Sequence, residues 1–240
     1  MDKLYQQDAY VKEFEAQVTA VSEEHGIALD RSAFYPGGGG QPSDLGIISA
    51  GKKSWPLKKI RTVDGVIWHQ LDGDVDLKIG DQVTGTLDWE RRYQLMRTHT
   101  AMHILCGVIW RDYGASVTGG NMQPLHGRMD FEFETMQREL VDEIEAKINV
   151  EVEAARPVKI DILARQEAFE IPDLIRTKIN LLPPAIKQVR IVEIEGLDLQ
   201  ADGGTHVANT SEVGHIKIVD YKSKGAINKR IVVELDDEVN

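Results

Sequence analysis

The sequence predicts an α+β protein in which a small β-barrel, residues 1–90, precedes an α+β domain, residues 91–240. Three observations lead there. Up to about residue 88, short alternating apolar and polar segments are separated by turn residues, the pattern of half-buried strands closing a small barrel. From Trp89 the apolar period lengthens to that of a helix, and strand-like runs return only after Pro157. A chain of 240 residues can bury one large core or two smaller ones, and the change of period selects two.

The barrel strands are expected at residues 11–21, 57–63, 66–71 and 83–87, with Asp64-Gly65, Asp72-Gly73-Asp74 and Gly80-Asp81 as turns. In the first helix Leu95, Met96, His99, Met102, His103, Cys106 and Trp110 share one stripe until Tyr113-Gly114 ends it. A second helix is expected over residues 135–154, where Leu140, Ile144 and Ile148 recur every fourth position among charged residues. Strands follow at 157–164, 187–195, 213–221 and 228–235, with Pro183-Pro184 marking a connection. Strands and helices mixed in this way make the second half α+β.

The formal charge of -11 is spread over both halves: residues 1–90 carry 9 Lys and Arg against 15 Asp and Glu, the remainder 19 against 24. Neither half is a basic nucleic-acid module, so any nucleic acid would be met through a local basic patch, and DNA is not an expected partner. The single cysteine, Cys106, excludes an intramolecular disulfide framework and fits a reducing compartment. The amino terminus lacks the apolar core of a secretion signal, and no run approaches the ~20 apolar residues of a membrane helix. A cytoplasmic protein without a membrane partner is expected.

The chemistry gathers around histidine. His99 and His103 stand one helical turn apart and are answered about a hundred residues later by Asp202-Gly203-Gly204-Thr205-His206. At i and i+4 both imidazoles leave one helix face, close enough to reach one ion at about 2.0 to 2.1 Å. The glycines let the later segment fold tightly and aim Asp202 and His206 at one point. Alone, a His-x3-His pair more often packs in a core, and Asp-Gly-Gly is an ordinary turn; together they predict a metal site. Imidazole and carboxylate donors favour Zn2+, with Mn2+, Fe2+ and Ni2+ as alternatives. Thr100 replaces the glutamate that follows the first histidine in the zinc-protease motif His-Glu-x-x-His, which disfavours a protease. Cys106 lies about 10 Å along the axis from His99 and is read as a buried structural residue. His25, His69, His126 and His215 lack comparable partners.

These residues resemble the AlaX family of free-standing alanyl-tRNA editing proteins, which are similar to the editing domain of alanyl-tRNA synthetase. The resemblance covers most of the chain and rests on three motifs: His99 with His103; the Asp202–His206 segment, against a family Cys-Gly-Gly-Thr-His; and Phe34-Tyr35-Pro36-Gly37-Gly38-Gly39-Gly40-Gln41-Pro42-Ser43-Asp44. It implies an amino-terminal barrel and an α+β editing domain like those of threonyl- and alanyl-tRNA synthetases. It also implies a zinc-dependent deacylase that removes serine, and glycine as a second substrate, from mischarged tRNA(Ala). Asp202 departs from the family cysteine; a carboxylate is a harder donor than thiolate, so a three-histidine site with an open position competes with a four-donor set.

Within that reading His99, His103, His206 and Asp202 hold one ion, and Thr205 orients a ligand or the attacking water, unless it is simply a turn residue. The tetraglycine lacks the Gly-Lys-Ser/Thr ending of a phosphate loop. Gly38, Gly39 and Gly40 are instead expected to approach the aminoacyl end, with Gln41 hydrogen-bonding it. Thr118 and Asn121 are candidates for reading a serine hydroxyl. Arg128 and Asp130 are read as an ion pair at a strand start. Lys222, Lys224, Lys229 and Arg230, with Lys217 nearby and Asp220 the only acid from His215 to Arg230, form the clearest phosphate-binding candidate, to which Arg91, Arg92 and Arg97 add. A solvated hairpin is the bland alternative. Two rival functions stand beside the deacylase: another small-ester metallohydrolase, and a non-catalytic RNA-binding module with a structural zinc.

Overall fold

Six strands close the barrel: Glu13–Ser22, Gly26–Leu29, Val66–Leu71, Lys53–Val63, Gly46–Ala50 and Gln82–Leu87 are hydrogen-bonded in that order and back to the first. The computed structural model describes residues 1–133, 135–172, 174, 186–223, 225 and 227–237. The chain divides into two compact units, Met1–Tyr93 and Gln94–Asn240.

In the first unit alternation does what the sequence suggests: Phe14, Ala16 and Val18 of the first strand point into the barrel while their neighbours face solvent. They join Ile27, Leu29, Phe34, Ile48, Trp55 and Leu57 in one core, each large side chain contributing about 1.5–3 kcal/mol by burial. Two of the barrel's strands escaped the sequence reading. Ile27, Ala28 and Leu29 are buried in succession, so the period of two that marks a half-exposed strand is lost there. Gly46–Ala50 buries only its Ile48, too little to register as a pattern.

The tetraglycine is a tight reverse turn. Gly37, Gly38, Gly39 and Gly40 have φ of 88°, 141°, 57° and 92°, a run of left-handed backbone that glycine adopts freely and other residues do not. Gly38 and Gln41 exchange both backbone hydrogen bonds, at 3.0 and 2.9 Å. The stem is braced by Asp44, which accepts from the Tyr35 amide at 2.6 Å and donates its own amide to the Tyr35 carbonyl at 3.0 Å. Arg92 grips the same carboxylate through Nε at 2.9 Å and through Nη2, and spends its remaining donors on the Ala9 and Ala33 carbonyls at 2.9 and 2.6 Å. Both side chains are buried.

The second unit is built on the long helix Trp89–Tyr113, most of which it contains. Gly114, at φ 63°, ends the helix as expected. An antiparallel four-stranded sheet, in the order Ile216–Ser223, Asn228–Leu235, His126–Glu132, Val117–Gln123, meets the helix at Met102, whose side chain lies where Gly120 and Gly127 carry none. A three-stranded antiparallel sheet comprises Val158–Ala164, Gln188–Ile194 and Asp198–Ala201. The second helix is Arg138–Glu153, starting later than residue 135 because Gln137 is still extended, at φ -120° and ψ 164°. The strand expected at 213–221 is Ile216–Ser223. Thr210–Val213 instead forms a 3-10 turn, capped where Asn209 Oδ1 accepts the Ser211 amide, and Gly214 at φ 75° breaks the chain direction. Pro183-Pro184 lies outside the described residues. Among those described, no helix is long and apolar enough to cross a membrane.

Candidate metal centre

His99 and His103 project from one face of the long helix, and the chain leaving the strand Asp198–Ala201 returns His206 to them. The return is made by Asp202: its Oδ2 accepts the Gly204 amide at 2.6 Å, an Asx turn that reverses the backbone over two glycines. The three imidazoles then stack and interlock, with ring centroids 5.2 Å apart for His99–His103, 4.2 Å for His99–His206 and 4.7 Å for His103–His206. One donor atom from each of His99, His103, Asp202 and His206 lies within 4.8 Å of all the others.

That spacing fits a cation. Four donors at about 2.0–2.1 Å around a tetrahedral ion stand roughly 3.3–3.5 Å apart. His99 Nε2 to Asp202 Oδ1, at 3.5 Å, has that value, while His206 Nε2 stands at hydrogen-bond distance, 3.1 Å, from the other oxygen, Asp202 Oδ2.

Each ring is oriented from behind. His103 Nδ1 donates to Asp198 Oδ2 at 3.0 Å, which also accepts from Gln200 Nε2 at 2.7 Å. His206 Nδ1 lies 3.3 Å from Thr100 Oγ1, and the same hydroxyl accepts the Val207 amide at 3.2 Å. The backbone of Thr205 hydrogen-bonds the His99 ring. Arg190, buried, donates to the Asp202 carbonyl at 3.0 Å and stands 3.9 Å from its carboxylate.

Burial controls the protonation of these groups. It lowers His99 to about 4 against the opposing charge of Asp202. It also drives His206 well below the ordinary imidazole value, reinforced by the neighbouring His99. Burial opposes ionisation of Asp202, but the surrounding imidazoles outweigh it and hold the carboxyl well below the usual range. For His103 burial is likewise outweighed, by the hydrogen bond and charge of Asp198, and the pKa rises. Two neutral imidazoles and an ionised carboxylate are donors in the state that binds a cation; His103 binds one only through its neutral imidazole, for which proton and cation compete.

Several sequence-predicted residues are committed to other work. Gly38, Gly39, Gly40 and Gln41 form the reverse turn of the first unit, with the Gln41 side chain buried. Thr118 donates to Asn228 Oδ1 at 2.9 Å, and both it and Asn121 are exposed on the strand Val117–Gln123. Four positions of the phosphate-binding expectation hold internal partners. Arg230 is clamped by Asp130 at 2.7 and 2.8 Å, and Lys229 is buried and donates to the Gly225 carbonyl at 3.0 Å. Arg92 braces Asp44, and Arg97 is buried with its guanidinium on the carbonyls of Val213, Asp236 and Asp237. Lys222 pairs with Asp220 at 3.1 Å on the surface, and Lys224 lies outside the described residues. Asp130 takes Arg230 as its close partner, Arg128 standing 3.7 Å away. Cys106 is buried, 3.3 Å from Gln200 Nε2, and is not one of the donors.

Sequence reasoning missed Asp198, Gln200, Arg190 and Thr100. The one local sign was Gly107, an unexplained glycine inside a helix and one turn beyond His103.

Known proteins are similar to this chain. Residues 189–232 match the family described as threonyl and alanyl tRNA synthetase second additional domain, and residues 5–91 match that of tRNA synthetases class II (A). The chain is 39% identical to the alanyl-tRNA editing protein AlaX-M of Methanosarcina barkeri, over 98% of this chain and 99% of that protein. It is 40% identical to AlaX-M of Saccharolobus solfataricus, over 96% and 97%. An alanine–tRNA ligase of Ignicoccus hospitalis is 40% identical over 90% of this chain, which spans 24% of the ligase.

Proposed function

Since this chain belongs to the AlaX-M family of alanyl-tRNA editing proteins, we propose that it acts in trans as an aminoacyl-tRNA deacylase, hydrolysing Ser-tRNA(Ala) and, as a second substrate, Gly-tRNA(Ala). The observation that carries this reading is the convergence of His99, His103, Asp202 and His206 on one point. A synthetic pocket built for alanine cannot exclude glycine by size and discriminates poorly against one added hydroxyl, differences worth only about 1–3 kcal/mol. A separate hydrolytic site supplies the missing selectivity.

The ion is Zn2+ on donor chemistry: three imidazoles and a carboxylate. When bound, such an ion polarises an ester carbonyl or lowers the pKa of water. The chain's own residues do the rest. Asp198, Thr100 and the Thr205 backbone fix the three rings, so Thr205 positions His99 through its main chain. Asp202 is the outermost donor, 15% exposed where the three histidine side chains keep no more than 8%, so substrate reaches the centre from its side. The ester is activated and water attacks it directly, without a covalent enzyme intermediate.

A panel of tRNA(Ala) charged with serine, glycine or alanine, incubated with zinc-loaded and chelator-stripped protein, tests the proposal. Release of serine that is lost on stripping and restored by Zn2+ is expected. Equal rates with and without the ion, or activity on free amino esters alone, defeats it.

A further inference from the structure

We infer that Asp198 is a positioning residue of this centre, admitted to the long helix by the bare Cα of Gly107, and that it fixes the His103 ring with Nε2 turned toward the other donors. The inference rests on reading the four donors as a metal centre.

His103 and Gly107 are four residues apart and share a helix face. A Cβ at Gly107 would lie 2.9 Å from Leu197 Cγ, 3.0 Å from Asp198 Cβ and 3.1 Å from the Leu197 carbonyl oxygen. The first is shorter than real Cβ contacts allow and the other two are unusually tight, one of them to backbone, so the approach depends on glycine there. Glycine is otherwise disfavoured inside a helix. The segment it admits is the tip of the hairpin joining Gln188–Ile194 to Asp198–Ala201, turned by Gly196 at φ 73° and closed by the Leu197 amide on the Ile194 carbonyl at 2.9 Å. Asp198 is the first residue beyond that tip, with its side chain fully enclosed.

A buried carboxylate is tolerated when it is paired and hydrogen-bonded. Here the pairing also has direction. A carboxylate accepts and does not donate, so the 3.0 Å contact to His103 Nδ1 requires the proton on that nitrogen. A neutral imidazole then carries its lone pair on Nε2. Gln200 holds the same oxygen at 2.7 Å and lies 3.3 Å from Cys106 on the helix, which limits how far the carboxylate can turn. Partners of this kind commonly set ligand affinity by about 10- to 100-fold.

The experiment uses full-length protein, wild type, Asp198→Asn and Gly107→Ala. Long-range imidazole nitrogen–proton NMR on metal-free protein, above the ring's titration, reads the His103 tautomer. A Co2+ titration followed by visible absorption reads affinity, and far-ultraviolet circular dichroism reads the fold. We expect a pure Nδ1–H tautomer in the wild type, a mixture in both variants, and about 10- to 100-fold weaker Co2+ binding at unchanged helix content. If Gly107→Ala fails to fold, Asp198→Asn decides alone. Wild-type tautomer and affinity in the folded variants overturn the inference. A tautomer that shifts as expected in a wild-type background that takes up no Co2+ supports the Asp198–His103 orientation and sinks the metal reading instead.

Discussion

Arg92→Ala separates two accounts of one residue, a phosphate reader and an internal brace. The guanidinium is fully buried, grips the equally buried Asp44 carboxylate, and donates to the Ala9 and Ala33 carbonyls. Removing it strands a carboxylate with, among the described residues, the Tyr35 amide as its close donor, a change that typically costs about 3–5 kcal/mol. The two carbonyls lose donors as well, so the upper part of that range is expected. Against a total stability of roughly 5–15 kcal/mol, and at about 2–4 °C per kcal/mol for a chain of this length, Tm should fall by roughly 6–20 °C. Thermal melts followed by tryptophan fluorescence measure it. Replacing both partners, as Asp44→Leu with Arg92→Met, should recover most of the loss because no charge is left buried. A phosphate contact predicts something different: an unchanged melt and a shallower salt dependence of tRNA binding, by about 0.7–0.9 in the log–log slope. That outcome would refute the brace.

The remaining expectations concern the centre. His99→Ala and His103→Ala should both reduce deacylation to the uncatalysed rate, yet only the second leaves Asp198 without its imidazole, making it the less stable by about 1–3 kcal/mol in urea melts; equal melts would contradict the pairing. Asp202→Asn keeps an oxygen for the Gly204 amide and so preserves the turn. Its metal content after dialysis should drop while the metal-free melt stays put, and full retention of the ion removes Asp202 from the donor set. Because Asp198 raises the pKa of His103, metal and proton compete there: affinity should weaken about tenfold per pH unit below that pKa. Calorimetry in buffers of different ionisation enthalpy should register the proton released, and a pH-independent affinity argues against His103 as donor.

What was legible in the sequence had a local cause. Val66–Leu71 and Asn228–Leu235 were read to the residue because alternation and flanking turn residues agree there, and the long helix stops at Tyr113 because Gly114 can turn left-handed. The four donors announce themselves by residue type and spacing. The charged residues do not. Arg230 reads as surface cation until Asp130, a hundred positions earlier, is seen across the sheet. Asp198 could not be singled out for the same reason: its role is set by a hairpin tip docking on a helix, and nothing within ten residues of it encodes that contact.

The lone thiol supplies a built-in probe of breathing. Cys106 is 1% exposed and sits on the helix that carries His99 and His103, so a disulfide reagent reaches it only when that part of the structure opens. Labelling rates on the natural protein therefore report the free energy of local opening, without an engineered tag. Comparing them with and without added zinc weighs how firmly an ion closes the fold around itself.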